Sequence, residues 1–266
     1  PNSNSGLDIA YSLVSQYQSP QLIAATGNQD LGFTRSHHGD ISYTRTLSGD
    51  LNLRSGVFYQ HLFDVPIGHD ASSTFSTVNL LEGFAPGNLV NEGTGDNYGV
   101  DVTLEKLFYS KHYFLVGASY YESKYTAGDG VRRDSRFNGN YTFTGVYGKE
   151  WLKPAKERTI GLNLRVLYLG GLRHSAVDVA NSQLASETVF DTTNPFGEKL
   201  NDYFRLDLRL SFRKNKPGYT RTFAIDIQNL TSQQNEVYNY YDFTQQKIVT
   251  KYQLGIIPVL VYRIDF

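Results

Sequence analysis

Apolar and polar residues alternate one by one through most of this chain. In YFRLDLRLSFR (203–213), Phe204, Leu206, Leu208, Leu210 and Phe212 fall on one side of an extended backbone. Arg205, Asp207, Arg209, Ser211 and Arg213 fall on the other. RTFAIDIQNL (221–230) sets Phe223, Ile225 and Ile227 against Ala224, Asp226 and Gln228. TIGLNLRVLY (159–168) sets Ile160, Leu162, Leu164, Val166 and Tyr168 against Gly161, Asn163 and Arg165. YGVDVTLEKL (98–107) and VLVYRIDF (259–266) follow the same rule, as do 6–14 and 51–60; in 112–121 and 140–148 aromatic residues occupy both sides. A side-chain period of two marks strands whose faces have different surroundings. No useful stretch has a period of 3.6, so the pattern predicts an all-β chain of about ten antiparallel strands with essentially no helix.

The lengths of the connections help to choose between a soluble sandwich and a membrane barrel. Short links at 47–50, 109–111, 152–157 and 214–218 alternate with long ones at 17–30, 64–96, 125–138, 171–201 and 231–249. Tight turns at one end and long loops at the other are the habit of outer-membrane barrels. That parity puts the last residue on the periplasmic side and sends the first strand (6–16) outward. A charge facing lipid at mid-depth costs about 2–4 kcal/mol, so keeping charges on one face is a strong constraint.

Composition narrows the classes. The chain has 20 Tyr and 16 Phe among 266 residues, yet its mean hydropathy is −0.39, as suits walls that are half apolar and half wet. The net charge of −1 provides no overall field for nucleic acid. Cys is absent, which excludes disulfides and thiolate chemistry; Met is absent too, and the expectation is a mature chain or an excised piece. No run of about 18 apolar residues would make a transmembrane helix.

Arg54, Asp101, Glu105, Arg165, Arg205, Asp207, Arg209, Asp226 and Arg263 are the residues expected to face an aqueous lumen. Of these, Arg205, Asp207, Arg209, Asp226 and Arg263, with Asp265, are expected to pair between neighbouring strands. Asp207 and Asp226 could form an acid–base pair, but their Arg neighbours favour salt bridges, and no catalytic residue is assigned. GTGDNYG (93–99) has neither the spacing of a dinucleotide loop nor the Lys-Ser/Thr of a P-loop, and reads as a glycine-rich loop end entering a strand. His37 and His38 point to opposite faces of a strand, and His69, Asp70 and His174 lack ligand spacing, so no metal or cofactor is assigned. NYT (140–142) and NLT (229–231) read as chance matches to a glycosylation sequon. Phe75, Phe84, Tyr125, Phe190, Phe196, Tyr238, Tyr240, Tyr241 and Phe243 lie in the long loops, where they suit either ligand capture or packing of the loops.

Several stretches carry a family likeness: TRSHHGDISYTRTL (34–47), GVFYQHLFDVPI (56–67), NEGTGDNYGVDVTLEK (91–106), YYESKYTAGDGVRRDSRFNGNY (120–141), YGKEW (147–151), GGLRHSAVD (170–178), YFRLDLRLSFRKN (203–215), IDIQNLT (225–231) and LGIIPVLVYRIDF (254–266). In order and over nearly the whole chain, they resemble the barrel of Bacteroidetes-type TonB-dependent receptors. The resemblance implies an antiparallel transmembrane β-barrel in the outer membrane of a Gram-negative bacterium. Residues 1–266 would form the C-terminal portion of a larger, 22-stranded barrel whose plug domain is absent. It implies import of a scarce nutrient, such as a siderophore, cofactor or glycan. The implied partners are outer-membrane lipid, the TonB complex acting through the plug, the barrel-assembly machinery and a possible SusD-like lipoprotein. Tyr262, Ile264 and Phe266 would be the signal read by the assembly machinery. The alternatives are a complete ten-stranded outer-membrane protease, which needs a carboxylate pair and a His at its rim, and a soluble β-sandwich, which needs a dry core.

Overall fold

In the computed structural model, which describes residues 4–81, 86–107 and 111–266, the alternating segments become strands. They are β1 (Ser5–Gln16), β2 (Thr34–Ser48), β3 (Leu51–Gly68), β4 (Leu89–Lys106) and β5 (His112–Thr126), then a short β6 (Arg132–Asp134). β7 (Tyr141–Lys153) and β8 (Arg158–Leu169) precede the small pair β9 (Arg173–His174) and β10 (Glu198–Lys199). β11 (Tyr203–Lys216), β12 (Tyr219–Gln228), the hairpin β13 (Glu236–Asp242) and β14 (Lys247–Tyr252), and β15 (Ile257–Asp265) complete the chain. One antiparallel path runs β1-β2-β3-β4-β5-β7-β8-β11-β12-β15, with β6 attached to β5 alone. Among the described residues β1 and β15 do not pair with each other, so the sheet is an open wall with two edges.

Directly opposed residues of an antiparallel pair share a face. The register therefore joins the apolar sides of separate strands into rows. Ile9, Ile41, Val57, Val100, Tyr120 and Tyr141 form one row across β1 to β7. Leu164, Leu208, Ile227 and Pro258 form another across β8 to β15. Leu162, Leu210, Ile225 and Leu260 follow, then Ile160, Phe212, Phe223 and Tyr262. Ile9 is 73% exposed, Leu260 71% and Tyr262 63%. No second layer covers this face among the described residues, which overturns the sandwich alternative. The buried apolar residues instead gather mostly beyond the band: Leu22, Val65, Ile67, Leu89, Tyr125, Ala127 and Tyr241 lie in the long loops or in the strand ends beside them, while Ala224 is buried on the polar face of β12.

In β11 the apolar side runs from Phe204 to Phe212 and gives way to Lys214. That fits the ~9–11 residues a tilted strand needs to cross hydrocarbon. β3 and β4, at 18 residues each, continue well past the alternating segments. Their ladder carries a bulge between Leu62 and Pro66, where Asp64 takes a positive φ of 54° and pairs with Arg35.

The tight links follow from local chemistry. β11 and β12 are joined by Pro217-Gly218, with Lys216 opposite Tyr219 and Gly218 at a φ of +85°. Pro fixes the first turn position, and only Gly accepts the second without strain. The turn predicted at 109–111 falls mostly outside the described residues. The long loops hold more structure than the pattern predicts: α1 (Pro20–Ala24), α2 (Val179–Ala185) and the β13–β14 hairpin. These helices are too short for a hydrophobic period to register.

Leu208 sits in mid-band between Leu164 and Ile227. Leu208→Arg is expected to lower stability in lipid vesicles by about 2–4 kcal/mol, while Ser211→Arg, on the opposite face, has a far smaller effect. Urea midpoints of the vesicle-inserted protein measure both.

Candidate functional site

All the long connections leave the sheet at one end: 17–33, 69–88, 127–140, 170–202 and 229–256. Polar side chains join each to the next. Asn28 is fully buried; its Nδ2 donates to the carbonyls of Leu22 (2.9 Å) and Pro86 (3.0 Å), and its Oδ1 accepts from the Leu89 amide (2.9 Å). This locks loop 17–33 to the start of β4. Asn79 Oδ1 accepts from the Arg136 amide at 2.8 Å, joining 69–88 to 127–140. Lys199 Nζ donates to the Gly139 carbonyl at 2.9 Å, and Arg173 pairs with Asp134 at 2.9 Å, joining 127–140 to 170–202. Asn201 donates through its backbone N–H (2.8 Å) and its Nδ2 (2.7 Å) to the Glu236 carboxylate, fixing the last loop. Asn229, at a left-handed φ of 50°, donates its amide to Asp207 Oδ1 (2.9 Å) and its Nδ2 to the Gln233 carbonyl (2.9 Å).

The loop aromatic residues divide between the two roles open to them. Tyr125 is buried beside Ile67 and Ala127, edge-on to Phe196 with 6.2 Å between ring centroids. Tyr241 is buried and accepts a hydrogen bond from Gln183 Nε2 at 2.9 Å. Phe190, Tyr238 and Phe243 are exposed, Phe75 and Tyr240 are half-buried, and Phe84 lies outside the described residues.

Several carboxylates outside the apolar band are held ionised, Asp202 and Asp129 among them. The Tyr141 hydroxyl donates to Asp202 at 2.5 Å and keeps its carboxyl below the usual range against the opposing effect of burial; the Tyr168 hydroxyl (2.9 Å) and the Gly171 amide (3.2 Å) add to this. Arg133 lowers Asp129 in the same way, through two bonds of 3.0 and 2.6 Å.

Near this rim a cleft of about 760 Å³ opens between 16–22 and 77–81. Gln16, Gln18, Gln21 and Thr77 supply amide and hydroxyl groups, and Leu22, Leu62, Val65 and Leu80 supply apolar walls. No charged side chain lines it among the described residues. Such a lining suits hydrogen-bonded recognition of a neutral or charge-masked ligand.

Arg54, Asp101, Glu105, Arg165, Arg205, Asp207, Arg209, Asp226 and Arg263 share the polar face by register. Arg209 Nη1 bonds Asp226 Oδ2 across two strands at 2.9 Å. The other two expected pairs form differently: Arg205–Asp207 (2.7 Å) and Arg263–Asp265 (2.6 Å) each lie within one strand. Residues two apart share a face, and the long Arg side chain spans that step. Asp226 Oδ1 is buried with no hydrogen-bond partner among the described residues, and Arg54 reaches Ser42 Oγ at 3.4 Å.

His37 and His38 take opposite faces: His37 bonds the Tyr11 hydroxyl at 2.8 Å, and His38 lies 3.0 Å from Gln60 Nε2. No group of His, Asp and Glu able to hold a metal occurs among the described residues. The glycines of GTGDNYG lie inside β4, not at its loop end. A Cβ at Gly99 would sit 2.5 Å from the Tyr120 carbonyl oxygen and 2.9 Å from Phe58 Cζ, so close packing requires glycine there.

No family model matches the chain, and no curated protein matches it by sequence. Solved structures do match. The ferric yersiniabactin uptake receptor FyuA of Yersinia pestis superimposes with a TM-score of 0.64 at 16% identity, over 100% of this chain and 36% of that one. The ferric-catecholate import receptor Fiu of E. coli K12 gives 0.64 at 14% identity, over 97% and 32%. The FrpB iron transporter of Neisseria meningitidis gives 0.61 at 12% identity, over 100% and 38%. The chain spans about a third of the length of these proteins. Its fold is that of part of the antiparallel strand wall of these outer-membrane proteins.

Two outcomes test the loop cap. Asn28→Ala leaves the Leu89 amide and two carbonyls without this partner, at about 1–3 kcal/mol; faster hydrogen exchange at Leu89 is expected, with β11 and β12 unchanged. The lowered Asp202 contributes stability that is present above the unfolded carboxylate pKa of roughly 3.9 and lost as pH falls through the lower folded value. Exchange at Gly171 should therefore rise below about pH 4, and Asp202→Asn should remove that dependence.

Proposed function

We propose that this chain is part of the wall and outer loops of a TonB-dependent receptor in the outer membrane of a Gram-negative bacterium, importing a scarce nutrient of the iron-loaded siderophore class. The observation that carries this reading is the exposed apolar band on one face of ten successive strands, backed by a polar face and capped at one end by interlocked loops. Lipid is the medium in which such a band is stable. The substrate class is supported by the iron and ferric-siderophore receptors that share the fold, and by a rim cleft whose described lining residues carry no charge, which suits a chelated ion whose charge is masked.

In this reading Arg54, Asp101, Glu105, Arg165 and the Arg–Asp pairs of β11, β12 and β15 border the aqueous bore, where they contact plug or ligand. The unpaired edges of β1 and β15 would leave amides unsatisfied in hydrocarbon, which supports further strands in the same receptor. TonB acts through the plug of that receptor. Tyr262, Ile264 and Phe266, in phase on the apolar face, present the pattern offered to the assembly machinery. The reading assigns no catalysis: Arg209 holds Asp226, and Arg205 holds Asp207.

Uptake of radiolabelled ferric siderophore by iron-starved cells tests the function. Accumulation should be lost in a strain lacking the gene and in one lacking TonB. Undiminished uptake of every siderophore class in the deletion strain would overturn the substrate assignment.

A further inference from the structure

At the end of the wall opposite the long loops, the apolar face stops abruptly. Its last row holds Trp151, Ile160, Phe212, Phe223 and Tyr262. One step further the register aligns Lys153, Arg158, Lys214 and Arg221 side by side across β7, β8, β11 and β12. Lys216 and Tyr219 pair at the turn just beyond, and the Arg221 guanidinium lies over the Tyr219 ring at 4.9 Å. None of these cations forms a salt bridge among the described residues. The acids nearest in the ladder, Glu150 and Asp265, pair with Gly161 and Thr220 and so belong to the opposite face. Glu157, in the turn between β7 and β8, is the acid whose field reaches Lys214.

Like charges directly opposite one another destabilise a sheet. Here the unfavourable contact recurs three times in one row, where a Glu at any position would relieve it. The row also lies immediately beyond the aromatic residues, at the depth where an aromatic girdle meets headgroups in a membrane barrel. Arg offers a planar fork to phosphate oxygens, and Lys a compact charge. We propose that Lys153, Arg158, Lys214 and Arg221 form a docking row for the phosphodiester headgroups of anionic phospholipid in the periplasmic leaflet. This rests on the outer-membrane reading above. The lipid supplies the negative charge that the protein omits, and Trp151, Phe212 and Phe223 lie against its upper acyl segments.

Native mass spectrometry of the protein extracted in mild detergent, incubated with phosphatidylglycerol or phosphatidylethanolamine, tests the proposal. The wild type should retain phosphatidylglycerol at least fivefold more than phosphatidylethanolamine. The triple variant Arg158→Gln, Lys214→Gln, Arg221→Gln should lose that preference, and Lys247→Gln with Lys251→Gln, in the outer hairpin, should keep it. Thermal unfolding provides a second readout, and Lys214→Gln alone serves if the triple variant does not fold. In phosphatidylethanolamine vesicles removing the cations should leave the midpoint equal or higher; in vesicles containing phosphatidylglycerol the wild type should unfold at the higher temperature. Equal retention by wild type and variant, or equal loss in the hairpin control, would overturn the lipid row while leaving the barrel intact. Wild-type protein partitioning into the aqueous phase of a detergent separation would overturn the barrel reading and this one together.

Discussion

In hydrocarbon, a backbone amide finds no water to replace a missing partner. A sheet there survives only if each strand's ladder is completed by its neighbours. That constraint organises the molecule: each consecutive pair of wall strands is antiparallel and closely registered, and irregularity is pushed beyond the lipid. The bulge at Asp64, the loop helices and the β13–β14 hairpin all lie past the apolar band. Once the ladder is fixed, facing follows automatically, because a side chain has only two directions to choose from.

The two faces then meet opposite demands. On one, solvation by lipid admits Leu, Ile, Val and aromatic rings, and the rows continue across strand boundaries that are distant in sequence. On the other, charged side chains are admitted, some of them in pairs such as Arg209–Asp226. Both ends depart from the apolar rule in characteristic ways. Toward the loops His61, Asp96 and Arg132 form a paired cluster; toward the turns Lys106 pairs with Asp50, while Lys153, Arg158, Lys214 and Arg221 line up with no salt bridge among the described residues.

The period of two is enough to read the wall from sequence, because lipid and water impose it on every other residue from Phe204 to Phe212 and from Ile160 to Tyr168. The loop cap was not legible in the same way. Asn28, Asn79, Asn138 and Asn229 are buried, yet asparagine in a polar loop reads like any surface residue; what distinguishes it is the carbonyl or amide it meets tens of positions away. The within-strand Arg205–Asp207 and Arg263–Asp265 pairs also escaped, since spacing shows which groups share a face but not which way a flexible side chain leans. The extent of β3 and β4 was hidden because alternation ends where the lipid does, while pairing continues.

That overrun of β3 and β4 shapes how anything approaches the bore. Roughly eight residues of each stand above the hydrocarbon, a rise of roughly 20 Å for tilted strands. Beyond the apolar band this part of the wall is thus a strand pair held by backbone hydrogen bonds rather than an irregular loop. In the receptor proposed above, a solute arriving from outside would meet this paired ladder before any side chain deeper in the wall.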